Sequence, residues 1–138
     1  MNENSLRLLL DFGLLVLIWL VQLVIYPSFL HFQREGLVRW HKKYTPRITF
    51  IVLPLMLGQL MLYGSLLQQE KTVYSMGSFT LVLIVWLLTF TVFVPRHKEI
   101  SANSYSEKTL SQLVNYNWGR TVVWTTLFIW NVLIQESY

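Results

Sequence analysis

The sequence predicts an all-α integral membrane protein in which four transmembrane helices form a bundle. Of the 138 residues, 54% are hydrophobic and only 13% are charged, which departs from the usual balance of a soluble domain. Four apolar runs approach the roughly 20 residues that a helix needs to cross a bilayer. The basic residues collect in alternate gaps between those runs, as expected for a polytopic membrane protein.

The four apolar runs cover residues of about 8–26, 48–67, 73–94 and 118–134. Little chain remains outside them, so we expect residues 1–138 to form a single membrane domain. The first run is predicted to be a retained helix, because no small-residue cleavage site precedes Pro27. The absence of cysteine excludes disulfides, thiolate metal sites and cysteine nucleophiles.

The distribution of positive charge predicts the orientation. Nine of the eleven Lys and Arg residues, and all three histidines, lie in the first gap (27–47) or the third gap (95–120). By the positive-inside rule both gaps should be cytoplasmic, with both termini and the turn at 68–72 outside a bacterial inner membrane. This charge suits the lipid bilayer and its anionic head groups, and nucleic acid is not needed to explain it.

The first gap predicts a basic interfacial helix between helices 1 and 2. Its apolar residues fall broadly on one helical face, with basic residues away from it; the apolar set is Phe29, Phe32, Leu37 and Trp40. Pro27 is expected to end the first helix, and Thr45-Pro46 to supply the N-cap and first position of the second.

The third gap predicts a surface helix that leads into helix 4. Pro95 is expected to close the third helix. The stretch Ser104-Tyr105-Ser106-Glu107 has the spacing of a capping box, and a helix is predicted from Ser106 onward. Pro54, inside the second helix, should produce a kink that faces neighbouring helices, because a freed carbonyl needs a partner in lipid.

Arg120 is the most informative single residue. The 14 apolar residues after it reach only about 21 Å at 1.5 Å per residue, which is short of a ~30 Å hydrocarbon core. The Arg120 guanidinium should therefore lie slightly below the membrane surface. Two interpretations stay open: a side chain that snorkels to the surface, or one turned into the bundle to hold a carboxylate, phosphate or carbonyl oxygen.

Two histidines are expected at the depth of Arg120. His41 precedes the second apolar run and His97 follows the third, so both should lie at the cytoplasmic ends of their helices. A shared pocket is predicted there, with ligand-binding candidates His41, Tyr44, His97, Asn117, Trp118, Arg120 and Thr121. His41, His97 and Arg120 are the candidates for catalysis. No metal site is predicted, because no metal-ligand spacing is present, and His31 is interpreted as a surface residue.

Other polar residues inside the apolar runs are expected to bond across helices; they are Gln22, Gln59, Thr89, Thr91, Thr121, Thr125 and Asn131. Asp11 lies one helical turn from Arg7. That spacing favours a partly exposed ion pair near the outer surface.

Three short motifs resemble a group of small four-helix bacterial membrane proteins that includes the anthrone-oxygenase-like family. They are Tyr26-Pro27-x-Phe29, Pro95-x-His97 and Asn117-Trp118-x-Arg120-Thr121. The family commonly has Asn at the position of His97. The resemblance implies a cofactor-independent oxidation of a polyphenolic substrate, and an interfacial pocket near Asn117 and Arg120.

Three hypotheses for function therefore remain, and the sequence does not decide whether the protein is an enzyme. The favoured one is binding of an amphipathic small molecule, such as a lipid, quinone or isoprenoid, in a cytoplasmic-side pocket. The second is a small membrane oxidoreductase or oxygenase that uses the same pocket, with histidine as base and Arg120 stabilising an oxyanion. The third is an accessory subunit of a larger membrane complex. Cofactors and homo-oligomerisation stay open.

Overall fold

The computed structural model describes residues 1–137 and is 89% helical, with no strand in that range. Six α-helices follow one another along the chain: α1 (Glu3–Leu20), α2 (Tyr26–Phe29), α3 (Arg34–Gln69), α4 (Val73–Leu88), α5 (Val94–Ser101) and α6 (Glu107–Glu136). A π-helical turn joins α1 to α2 at Val21–Ile25, and a second joins α4 to α5 at Thr89–Phe93. The helices pack around one apolar core.

Three continuous helical segments are long and apolar enough to cross a membrane: Glu3–Phe29, Arg34–Gln69 and Val73–Ser101. The prediction of apolar, membrane-compatible helices is confirmed at this level. Each of these segments extends beyond its predicted apolar run, because polar residues at the ends continue the helix. The last helix, α6, has 30 residues, but its composition is not apolar enough for it to be counted with these three.

The predicted interfacial helix between helices 1 and 2 is wrong as a separate element. Residues 34–47 instead form the first turns of α3, which continues to Gln69 with Pro46 and Pro54 inside it. Leu37, His41 and Tyr44 are all buried at helical spacing, and their packing holds this part of α3 in line with the rest. Pro54 lies on the exposed side of α3, so the expectation that its kink faces neighbouring helices is also wrong.

The two π-helical turns explain why Pro27 and Pro95 do not end their helices as predicted. In each, the residue just before the proline donates its backbone N–H to the carbonyl five residues back: Tyr26 to Val21, and Val94 to Thr89. The extra residue in such a turn relieves the clash between a proline ring and the preceding turn. The helices therefore continue to Phe29 and Ser101.

The surface helix predicted to lead into helix 4 is present as the start of α6. The helix begins at Ser106, its N-cap, as predicted, but the capping box is formed by Ser106 with Thr109 and not by residues at the Ser104–Glu107 spacing. Ser104 lies in the loop before it, where Arg34 donates hydrogen bonds to the Asn103 side chain and to the Asn103 and Tyr105 carbonyls. This contact ties the start of α3 to the loop between α5 and α6.

The bundle has two ends. The basic end carries the gaps at 27–47 and 95–120. At the opposite end, Gln69 donates to Glu3 and Gln135 donates to the carbonyl of Asn4, so the last turns of α3 and α6 meet the start of α1.

Candidate functional site

The Arg120 side chain is turned into the bundle and is only 7% exposed. Its Nε and Nη2 atoms donate to Asn117 Oδ1 at 3.0 and 2.8 Å. Nη2 also donates to the Tyr26 hydroxyl at 3.0 Å, and Nη1 donates to Thr89 Oγ1 at 3.3 Å. The guanidinium lies 3.6 Å from the centre of the Phe93 ring, in cation–π contact. Of the two interpretations that the sequence left open, the inward-facing arginine is therefore the one observed.

Every hydrogen bond that Arg120 makes within residues 1–137 goes to a neutral oxygen. These bonds solvate the guanidinium but do not neutralise its charge. A buried positive charge without a carboxylate partner favours the approach of an anionic or strongly polarised oxygen.

Two histidines from different helices meet next to Arg120. His41 Nε2 lies 2.7 Å from His97 Nδ1, and the two ring planes are inclined by only 20°. His97 Nε2 lies 2.9 Å from the Tyr26 hydroxyl, and His41 Nδ1 lies 2.8 Å from Ser101 Oγ. The π-helical turn before Pro95 allows the helix to continue to His97 and Ser101, which is how both residues reach His41.

A second layer of amides positions the arginine. Asn117 Nδ2 donates to Gln22 Oε1 at 2.9 Å, and the Thr121 hydroxyl donates to the same oxygen at 3.0 Å. Gln22 Nε2 in turn donates to the Val114 carbonyl. Asn117, Thr121 and Gln22 are all buried, so the acceptor that Asn117 offers to Arg120 is held in a fixed orientation.

A cavity of about 350 Å³ opens beside these groups, between α3 and the helical segment Val73–Ser101. Its deeper walls are apolar and include Ile18, Val52, Met56 and Trp124. Most of its polar residues gather towards the basic end; the polar lining residues are Tyr26, Tyr44, Thr45, Thr49, Thr89, His97, Lys98, Ser101 and Arg120. The cavity therefore has an apolar body and a polar, positively charged end.

Six of the seven predicted ligand-binding residues lie together at this end: His41, Tyr44, His97, Asn117, Arg120 and Thr121. The seventh, Trp118, does not. It is 44% exposed and packs edge-on against Trp19 on the outside of the bundle. Residues 118 and 120 are about 200° apart around an α-helix, so Trp118 faces away when Arg120 faces inward. His31 is exposed, in agreement with its interpretation as a surface residue.

The sequence reasoning missed Tyr26 and Phe93, which contact the guanidinium directly. Tyr26 belongs to one of the motifs that carry the family resemblance, but the sequence did not assign it to the pocket. Thr89 and Gln22 were expected to bond across helices, and both do. Their partners were not foreseen, since periodicity does not specify which helix faces which.

A different polar cluster lies towards the opposite end and corrects the prediction for Asp11. Asp11 is only 1% exposed and accepts hydrogen bonds from Gln59 at 2.7 Å, Tyr63 at 2.6 Å and Asn131 at 2.7 Å. Arg7 is also buried, and it donates to Asn4. The expected partly exposed pair is wrong because α3 and α6 cover this face of α1. None of these residues lines the cavity.

Within residues 1–137 no group of three or more His, Asp or Glu side chains could hold a metal ion. Among the same residues, His41 and His97 have no third His, Asp or Glu beside them that could complete a metal site. The groups at the cavity's polar end are hydrogen-bond donors and acceptors, which can orient a polar head or exchange its proton.

No family model, curated protein or solved structure matches this chain. The resemblance to the anthrone-oxygenase-like family thus stays a prediction from three short motifs.

Proposed function

We propose that the protein crosses a bacterial inner membrane four times, with α6 as the fourth span. The support is the outer surface of α6, where Val122, Ile129 and Leu133 are each more than half exposed. Three such side chains along one helix face suit lipid tails better than water. Four polar residues within the apolar part of α6 are buried in the bundle: Asn117, Arg120, Thr121 and Asn131.

We propose further that the basic end is cytoplasmic and both termini are outside, from the charge distribution. The test introduces a single cysteine at one of two exposed positions, Ser104→Cys or Gln69→Cys, and adds the labelling reagent to intact cells. Only Gln69→Cys should react with an impermeant maleimide until the membrane is opened. Labelling of Ser104→Cys in intact cells would reverse the orientation.

For function, we propose that the cavity binds an amphipathic small molecule of the lipid, quinone or isoprenoid class. The observation that carries the proposal is the position of Arg120, a buried guanidinium whose hydrogen-bond partners among residues 1–137 are all neutral, at the polar end of an otherwise apolar cavity. A volume of about 350 Å³ falls within the usual range for small-molecule sites. The apolar part of the ligand would occupy the deeper part of the cavity, and an oxygen of its polar head would accept a hydrogen bond from Arg120.

The residues that line the cavity also indicate the route by which a ligand would enter it. Leu53 and Phe90 both line the cavity and are both exposed, at 41% and 58%. They lie on the two helical segments that border the opening. A hydrophobic ligand would therefore enter sideways from the lipid phase, between α3 and the segment Val73–Ser101.

The test compares Arg120→Met with wild-type protein purified in mild detergent, followed by extraction and mass spectrometry of bound lipids and quinones. We expect a co-purifying amphipathic molecule in wild type, reduced at least tenfold in Arg120→Met with an unchanged circular dichroism spectrum. Arg96→Met is the matched control. Arg96 is at the same end but bonds to Gln112 and to the Val92 carbonyl, outside the cavity. Equal ligand content in wild type and Arg120→Met would refute the proposal.

A second candidate function is an enzyme acting on the bound molecule. The observation that favours it is that His97 and Arg120 converge on one hydroxyl, that of Tyr26, at the cavity's polar end. A histidine base beside an oxyanion-stabilising guanidinium suits chemistry on a phenolic or quinol oxygen. Turnover of such a compound by purified protein, lost in His97→Phe with binding retained, would support this candidate.

A further inference from the structure

Four side chains form an unbroken hydrogen-bonded chain from the cavity to the surface of the basic end. It runs from Tyr26 to His97 at 2.9 Å, from His97 to His41 at 2.7 Å, and from His41 to Ser101 at 2.8 Å. Tyr26 lines the cavity. Ser101 is half-buried and is followed directly by the exposed residues 102–104. Ser101 also lines the cavity, so the chain runs along the polar end of the cavity from Tyr26 to the point where that end meets the surface loop.

Arg120 fixes the direction of the chain from the cavity side. A guanidinium only donates, so the Tyr26 oxygen accepts the bond from Arg120. Among residues 1–137 the acceptor available to the Tyr26 proton is His97 Nε2. In two neutral rings, His97 then carries its proton on Nδ1 and donates to His41 Nε2, and His41 carries its proton on Nδ1 and donates to Ser101.

The contacts on the surface side favour the same direction. The Thr45 hydroxyl donates to the His41 backbone carbonyl at 2.9 Å, so its proton is already engaged. Thr45 Oγ1 also lies 3.3 Å from His41 Nδ1 and can only accept there. A proton on His41 Nδ1 satisfies both this contact and the bond to Ser101, which agrees with the tautomer derived from Arg120.

We propose that Tyr26, His97, His41 and Ser101 are a proton relay between a hydroxyl of the bound ligand and water at the basic end. This inference rests on the proposed ligand site and narrows its ligand to molecules with an ionisable hydroxyl, as in phenols and quinols. Such a ligand presents its hydroxyl to the Tyr26 oxygen beside Arg120.

The proton transfer requires no oxidant. The ligand O–H bond breaks and its proton goes to the Tyr26 oxygen, while the Tyr26 proton moves to His97 Nε2. The Nδ1 proton of His97 moves to His41 Nε2, and that of His41 moves to Ser101 Oγ, whose own proton passes to water. The ligand is left as an oxyanion beside the Arg120 guanidinium. The reverse transfer restores the starting tautomers without rotation of either ring.

The first experiment uses 2-naphthol as the probe, an aromatic alcohol that becomes strongly acidic when excited by light and whose emission shifts when it loses its proton. Full-length protein in detergent is loaded with 2-naphthol, and the fraction of emission from the anion is measured after a light pulse. We expect rapid anion formation in wild type. It should fall at least fivefold in His97→Phe and in His41→Phe, with each protein measured at saturating 2-naphthol so that a change in affinity does not enter the comparison.

His31→Phe is the matched control, since His31 is exposed and outside the chain of hydrogen bonds. It should behave as wild type. Wild-type anion formation in both His97→Phe and His41→Phe would overturn the relay while leaving the ligand site standing. Loss of naphthol binding in Arg120→Met, with binding kept in His31→Phe, tests the ligand site separately.

A second measurement needs no ligand and decides the relay if 2-naphthol does not bind. Nitrogen-15 NMR of histidine-labelled protein distinguishes the two tautomers of each ring, with His41→Phe and His97→Phe used for assignment. We expect the proton on Nδ1 in both rings. An Nε2 proton on one ring alone would break the chain, and Nε2 protons on both rings would reverse its resting direction; either result would overturn the inference.

Discussion

The two buried polar clusters at the two ends of the bundle are built from similar groups but differ in what they leave unsatisfied. Around Asp11, three neutral donors from α3 and α6 bond to the carboxylate, and none of these residues lines the cavity. Around Arg120, the hydrogen-bond partners within residues 1–137 are neutral acceptors, and the cavity opens beside them. The cavity is therefore the difference: a charge enclosed by its partners holds helices together, whereas a charge next to a cavity is suited to binding.

The largest expected effect is on stability, at the closed cluster. Asp11→Ala leaves the donors of Gln59, Tyr63 and Asn131 without their shared acceptor. At about 1 kcal/mol for each lost bond, the free energy of unfolding should fall by about 3 kcal/mol. Thermal unfolding in detergent measures this change. Leu9→Ala, on the exposed side of the same helix, is the control and should change stability far less.

If Asp11→Ala instead abolished ligand binding at temperatures where the protein remained folded, the division between a closed structural cluster and an open binding cluster would be wrong.

A smaller but more specific effect is expected from filling the cavity. Val52 lines it, whereas its neighbour Ile51 does not and is 54% exposed. Val52→Trp should reduce the co-purifying ligand at least tenfold, because the indole occupies space that the ligand needs. Ile51→Trp adds the same volume to the outer surface and should leave ligand content unchanged. Equal effects of the two substitutions would show that the ligand binds elsewhere.

The smallest expected effect concerns Trp118, which the sequence placed in the pocket. Trp118→Ala removes an exposed edge-on contact with Trp19. Ligand content should stay within twofold of wild type, and unfolding free energy should fall by about 1 kcal/mol. Mass spectrometry and thermal unfolding together make the measurement. A large loss of co-purifying ligand would show that Trp118 belongs to the ligand site after all.

The predictions made from the sequence were correct where they depended on distances along a single helix. Arg120, His41 and His97 were expected at one depth from their distances to the ends of the apolar runs, and they do lie together. The predictions failed where helix continuity depends on packing. Pro27, Pro46 and Pro95 were each expected at a helix boundary, yet all three lie inside continuous segments. π-helical turns accommodate Pro27 and Pro95, and the packing of Leu37, His41 and Tyr44 holds α3 in line around Pro46. Neither effect is visible in a local pattern.

The sequence by itself determined the helical, membrane-compatible class and the end of the molecule where chemistry should be sought. Apolar length and the clustering of basic residues are one-dimensional properties, so no contact is needed to recognise them. Only the tertiary structure decided which polar groups meet. The direction in which Arg120 points, the pairing of His41 with His97 and the burial of Asp11 each depend on helix rotation and on contacts between residues far apart in the chain. The same apolar and basic pattern is compatible with many such rotations, and packing selects one.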